Sequence, residues 1–192
     1  MKTLMQILEE ENLLPDTDHK GVYTHKFTKH PYHDDFMEML TSYREKFIKL
    51  IEIGADFGAS TIMWDRFFLN GDITVLDTVN AKRSIDNISG RVDNNRTRII
   101  EQDAYDINYV NSIADESIDI VIDDGPHDRE SQLNCIKHYY PKLKKGGILI
   151  IEDIPNEVWI TEMTSLVPNG FSRSIIYKDS KAHDSKLFIC WK

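Results

Sequence analysis

The sequence predicts an α/β fold built on a mostly parallel sheet that ends in a C-terminal antiparallel hairpin. Three observations carry this. Five apolar strand-like runs between residues 49 and 152 alternate with helical segments, as crossover-connected parallel strands do. Those runs lack strict in–out alternation, the pattern of strands covered on both faces. The last two strand-like runs follow one another without a helix between them, so they pair antiparallel.

Residues 1–31 read as an irregular arm with one short helix over Thr3–Glu10, and residues 32–192 as a single domain. The polar part of the arm, Asp16 to Pro31, carries His19, His25 and His30 interleaved with Lys20, Lys26 and Lys29. These histidines lack the spacing of a metal motif, and composition favours a solvated lead-in. A helix follows over Asp34–Phe47, with Phe36, Met37, Leu40, Tyr43 and Phe47 on one face. Lys49–Ile53 is the first strand, followed by the turn Gly54–Gly58 and a helix over Ala59–Phe68. Asp72–Asp77 is the second strand, and Ala81–Ile88 a short helix. Arg98–Gln102 is the third strand, with a brief helix near Ile107–Ile113. Ser117–Asp123 is the fourth, and a helix over Arg129–Tyr140 stops before Pro141. Gly147–Glu152 is the fifth, set off by the Gly146-Gly147 pair. A helix over Glu157–Leu166 precedes the closing strands, Arg173–Tyr177 and Lys186–Cys190, joined by the polar stretch Lys178–Ser185. Phe188 and Ile189 should then face opposite sides of the sheet.

A chain of 192 residues, 41% hydrophobic and 29% charged, suits one globular domain. Its formal charge of -9 argues against a phosphate-backbone partner, so no nucleic acid is expected, and a small molecule is the easier ligand to defend. Cys135 and Cys190 form neither a metal cluster nor a disulfide framework and read as packing residues in a reducing compartment. The opening MKTLMQILEEENLLPD is neither a secretory h-region nor a spanning segment. A cytoplasmic protein without membrane attachment is the expectation. No segment marks a docking patch, and a homodimer stays open.

In an open parallel sheet, ligands collect beyond the carboxyl ends of the strands. Here those ends carry Glu52, Asp77, Asp123 with Asp124, and Glu152 with Asp153, while Asp103 follows the third strand. So many carboxylates on one rim require compensation by ligand hydroxyls, amines or a cation. Gly54 and Gly58 bracket the first turn, where positive φ and close approach favour glycine. The spacing G-x-x-x-G is not a dinucleotide fingerprint, and no Lys-Ser/Thr follows to make a P-loop. Glu52 suits a cationic amino-acid group, and Asp77 has the acceptor chemistry for a ribose diol.

The runs IEIGADFGASTIMWDRFF, VLD, IDDGPH and GGILIIEDIP resemble the class I S-adenosylmethionine-dependent methyltransferases, with their Rossmann-like fold. Within them, the chain is most similar to the macrocin and mycinamicin sugar O-methyltransferases and to the cephalosporin hydroxylase-like and rhamnosyl O-methyltransferase group, from about Lys20 to Pro155. The resemblance implies that Glu52, Gly54 and Gly58 line the methionine side of S-adenosylmethionine, that Asp77 takes its ribose, and that Asp103, or instead its neighbours Ala104 and Tyr105, contacts the adenine edge. Ser60 or Thr61 would hold the cofactor carboxylate at a helix N-terminus. Trp64 reads as core, and Phe57 stays open. The arm's Lys20-Gly21, Lys26, His30 and Tyr32 look like a degenerate form of a family stretch that closes over cofactor or substrate.

IDDGPHD delivers Asp123, Asp124 and His127 to one rim, and the fifth strand delivers Glu152 and Asp153. Asp124, Glu152 and Asp153 are hard oxygen donors suited to Mg²⁺, with Mn²⁺ as an alternative. His127 is the favoured base for an acceptor hydroxyl, with Asp123 orienting it or touching the cofactor. In the second arrangement Asp124 is both ligand and base. The expected activity is metal-assisted O-methylation of a sugar or glycosylated small molecule. The alternatives are a metal-dependent catechol or other small-molecule O-methyltransferase, and a noncatalytic binding protein on the same fold.

Overall fold

The computed structural model describes residues 2–15, 21–167, 171–177, 180 and 182–192. The arm's His19 and Lys20, and part of the Lys178–Ser185 connection, lie outside them. Helix α1 (Leu4–Glu10) starts from a capping box in which Thr3 and Gln6 exchange side-chain and backbone bonds. Helix α2 (His33–Leu40) leads through a 3₁₀ turn (Thr41–Tyr43) into β1 (Phe47–Ile53). There follow α3 (Ala59–Phe67), β2 (Asn70–Asp77), α4 (Ala81–Ile88), β3 (Thr97–Glu101), α5 (Ile107–Ser112) and β4 (Ile118–Asp123). Next come α6 (Arg129–Tyr139), β5 (Leu143–Ile151), α7 (Val158–Leu166), β6 (Phe171–Ile176) and β7 (Lys186–Trp191).

The seven strands form one sheet in the order β3-β2-β1-β4-β5-β7-β6. The first five are parallel, and β7 runs antiparallel to both β5 and β6. Strand β1 pairs with both β2 and β4, so the crossovers leave it in opposite directions and open a crevice at the carboxyl ends. Side chains alternate between two buried layers. Leu50, Val75, Ile122, Ile150 and Ile189 pack towards Trp64, Phe36 and the helices α1 to α3. Ile51, Leu76, Val121, Leu149 and Phe188 pack towards Leu133, Tyr139 and Met163 on α6 and α7. Phe188 and Ile189 do face opposite sides, and both cysteines are free and buried.

Several boundaries differ from the sequence reading. The helix expected to run to Phe47 stops at Leu40, because Thr41 turns its hydroxyl back onto the Met37 carbonyl and the chain tightens into 3₁₀. Phe47 instead opens β1 opposite Asn70 and is 87% exposed, so its helical spacing to Tyr43 was coincidental. Strand β5 begins at Leu143 rather than Gly147, through a register shift at the Lys-Lys-Gly-Gly segment where Gly146 takes φ +80°. The arm is not a solvated lead-in: Lys26, Phe27 and His30 are all buried. Among the described residues no helix is long and apolar enough to cross a membrane.

Candidate functional site

The crevice widens into a cavity of about 790 Å³ bounded by the ends of the parallel strands on one side and by the arm on the other. Its strand-end wall includes Gly54, Asp77, Asp103, Tyr105, Asp124 and Asp153, and its arm wall includes Tyr23, Lys26 and His30. A volume of this size matches a nucleoside-sized ligand with room beside it.

The turn after β1 is held together by acceptors from the next strand. Gly54 takes φ +93°, and a Cβ there would run into the Asp124 backbone carbonyl. Gly58 takes φ +86°, and its Cβ would lie 2.7 Å from Ile88 on α4. Gly54 therefore lets two strand-end turns touch, while Gly58 faces a helix rather than the cavity. Asp77 accepts from the Ala55 amide through Oδ2 (2.8 Å) and from the Val79 and Asn80 amides through Oδ1 (2.8 and 2.7 Å). Three of its roughly four lone-pair sites are thus occupied by backbone, leaving about one for a further donor.

Glu52 lies beneath this turn. It is fully buried, does not line the cavity, and accepts from Ser60 Oγ and Trp64 Nε1, each at 2.9 Å. Burial pushes its carboxyl up to about 7 despite these donors and Lys26. Trp64 is core, as the sequence indicated. Ser60 reaches the cavity wall, but Thr61, one helical step on, is turned into the core. Asp103, Ala104 and Tyr105 all line the cavity at the end of β3. The Asp103 carboxylate caps the Tyr105 amide at 2.9 Å, and the Tyr105 hydroxyl donates to Asp123 Oδ1 at 3.0 Å.

The acidic end of the site is organised around a lysine. Lys26 Nζ donates to Asp124 Oδ2 (2.8 Å) and to Glu152, and stands 3.7 Å from Glu52 Oε1. Its side chain has no solvent exposure. Burial opposes its charge, but the carboxylates of Asp124, Glu152 and Glu52 outweigh that and raise its pKa. Asp153 accepts from the Tyr32 hydroxyl at 2.7 Å and lies 3.3 Å from His30 Nδ1. Burial, then the neighbouring Asp124, lifts the Asp153 carboxyl to about 6. Asp123 is likewise lifted to about 6 by burial, against the Tyr105 bond and the nearby His127.

His127 Nε2 faces Asp124 Oδ1 at 3.7 Å, and its ring is one-third exposed on the cavity wall. His127 and Asp153 both hold left-handed backbones, φ +57° and +52°. That strain falls on the two residues whose side chains converge on Asp124. Ligand atoms from Asp124, His127 and Asp153 lie within 4.8 Å of one another. The Asp124 and Asp153 carboxylates are hard oxygen donors that fit an oxygen-preferring divalent ion, with the His127 imidazole beside them. Glu152, expected in that set, is taken up by Lys26 instead.

The arm residues Lys26, Tyr32 and His30 complete the site, and sequence reasoning assigned none of them a definite role. They come from an aperiodic stretch 98 to 126 residues away from the carboxylates Lys26 binds. The available signal was chemical: an acidic rim without a visible counter-charge, and lysines clustered in one polar segment.

Residues 51–154 match the model of a family described as a methyltransferase domain. The chain is 31% identical over 146 residues to the mycinamicin VI 2''-O-methyltransferase of Micromonospora griseorubida, covering 71% of this chain and 33% of that protein. It is 28% identical over 144 residues to the L-olivosyl-oleandolide 3-O-methyltransferase of Streptomyces antibioticus, covering 70% and 34%. It spans about a third of the length of these curated relatives. The fold also matches the solved structure of the MycE methyltransferase of the mycinamycin pathway, in complex with Mg and SAH, with TM-score 0.70 and 20% identity. That match covers 100% of this chain and 55% of the other.

Proposed function

This chain belongs to the methyltransferase-domain family, and from that membership we propose that it is an S-adenosylmethionine-dependent O-methyltransferase acting on a hydroxyl of a sugar or glycosylated small molecule. The observation that carries the reading is the convergence of Asp124, His127 and Asp153 at one end of a cavity whose other walls carry Asp77 and Asp103. The named activities of the curated relatives, methyl transfer to hydroxyls of glycosylated natural products, supply the substrate class.

In this reading Asp77 keeps one acceptor site for a ribose hydroxyl, and the Asp103–Tyr105 segment borders the base. When bound, S-adenosylmethionine would supply an electrophilic methyl and keep the C–S electron pair on sulfur as the methyl leaves, and Asp124 and Asp153 would hold a divalent ion that would supply Lewis acidity to the acceptor hydroxyl. His127 faces the same space and takes the hydroxyl proton. Asp124, 3.7 Å from His127 Nε2, stabilises the imidazolium that results. The buried arm covers the acidic end and excludes water from it.

The test is a mass-spectrometric screen of nucleotide sugars and free glycosides for the gain of one methylene mass with S-adenosylmethionine, run with and without EDTA. Turnover that EDTA suppresses and Mg²⁺ restores is expected. His127→Ala should lower kcat by about 10²–10⁴-fold while binding of S-adenosylhomocysteine is unchanged. Full turnover in His127→Ala would remove the base assignment, and EDTA-insensitive turnover the metal.

A further inference from the structure

Four carboxylates, Glu52, Asp124, Glu152 and Asp153, converge at the acidic end of the cavity, and the cation that contacts three of them belongs to the arm. Lys26 is not a surface ion pair that happens to lie close. Its side chain is completely removed from solvent, and its ammonium lies over the Phe36 ring, 5.8 Å from the centroid. It takes Asp124 by Oδ2, the oxygen turned away from His127, whereas Oδ1 faces the imidazole. It also takes Glu152, which the acidic pair Glu152-Asp153 would otherwise present beside Asp153. Two donors that an ion needs for a fuller oxygen shell are therefore already in use by an internal cation.

We propose that Lys26 and a divalent ion are alternative occupants of the Asp124–Glu152 pair, so that the lysine sets the ion affinity of the site and ion binding displaces it. The inference rests on the divalent site proposed above. With Lys26 seated, the ligand atoms that remain close together are those of Asp124, His127 and Asp153, and an ion there would consume the imidazole. With Lys26 displaced, Glu152 joins Asp124 and Asp153 as an all-oxygen set, and His127 is released for proton transfer. The lysine also removes the cost of an empty site, since unpaired buried carboxylates are strongly unfavourable. Because Lys26 is carried by the arm, between Tyr23 on one side and Tyr32 on the other, loading the ion alters how the arm is held over the cavity.

Calorimetric titration of Mg²⁺ and Mn²⁺ into the wild type and into Lys26→Gln tests this without reference to turnover. Removing the competitor should tighten ion binding by about tenfold or more, the factor expected when the competent state is populated at about 10% in the wild type. Equal or weaker binding by a folded Lys26→Gln protein overturns the competition while leaving the ion site standing. Absence of ion binding in both proteins, with S-adenosylhomocysteine still bound, overturns the competition and the ion site together. Because Lys26→Gln leaves buried carboxylates uncompensated and can fail to fold, the wild type supplies a second readout. Reductive methylation followed by peptide mass spectrometry should find Lys26 protected without ion and modified at saturating Mn²⁺. A lysine that stays protected at saturating ion also overturns the proposal.

Discussion

At the scale of single residues, the site is governed by carboxylates whose burial exceeds their compensation. Lys26 sits closer to Asp124 and Glu152 than to Glu52, so Glu52 is the one left with neutral donors and a distant charge. Its folded pKa, about 7, is raised above the ordinary 4.5. A raised carboxyl binds its proton more tightly folded than unfolded, so the stabilising contribution is complete below about 4.5 and is lost as pH rises to about 7. Glu52→Gln removes this dependence. Urea denaturation of both proteins at pH 5 and pH 8 should show the variant gaining on the wild type at the higher pH, by on the order of 3 kcal/mol. An offset that does not change with pH would mean Glu52 stays ionised throughout. Legibility at this scale was uneven. Glu52, Asp77, Asp103, Asp124 and the Glu152-Asp153 pair are visible in the sequence because each stands at or just past a strand end, where chemistry collects, whereas Asp56, in the turn after β1, lines the cavity without such a signal. Lys26 was not assigned, because its position depends on how an aperiodic arm crosses the sheet. Thr61 and Ser60 were inseparable for another reason: neighbours on a helix point about 100° apart, and only the packing of α3 decides which faces the cavity.

At the scale of elements, the turns after β1 and β2 are one unit. Asp77 joins them by accepting from Ala55 on one side and from Val79 and Asn80 on the other. Its role in the fold is therefore as direct as any role towards a ligand. Asp77→Asn would set an amide donor against one of those N–H groups, and thermal denaturation should register a loss of about 1–3 kcal/mol. Binding of S-adenosylhomocysteine should weaken in the same protein; a variant of unchanged stability would show that water replaces the carboxylate easily. Helices with clear signals were read almost to the residue. Asp128 caps α6 through the Ser131 amide, and α6 in turn places Gln132 against the Glu152 carbonyl at 3.1 Å. The helix before β1 was overextended because Tyr43 and Phe47 keep helical spacing beyond its true end. Periodicity alone cannot see a 3₁₀ turn that redirects the chain.

At the scale of the whole molecule, the parallel sheet and its terminal antiparallel pair were legible because both depend on the succession of strands and helices. The strand order was not, since nothing local says that β1 lies at the centre of the five parallel strands. Central placement makes the crevice a junction of both halves of the sheet, so a ligand bound there ties the halves together. S-adenosylhomocysteine at about 100 times its Kd should add about 2.7 kcal/mol and raise Tm by about 5–10 °C. NAD at equal concentration should leave Tm in place; the reverse ranking would contradict the cofactor assignment. The position of β7 has a consequence for biosynthesis. Strand β6 precedes β7 in the chain but lies beyond it in the sheet, joined to the rest only through it. During synthesis β6 therefore emerges before its own partner, while the outer edge of β5 is still open, and waits about 1–3 s, at 5–20 residues per second, for β7 to follow. Its sequence suits that interval: in Phe171–Ile176 a Ser-Arg-Ser run separates Phe171 from the two isoleucines, and Arg173 reaches Asp35 of α2 at 3.1 Å. A nascent strand so diluted in apolar side chains is poorly suited to recruiting a neighbouring polypeptide before its own partner arrives.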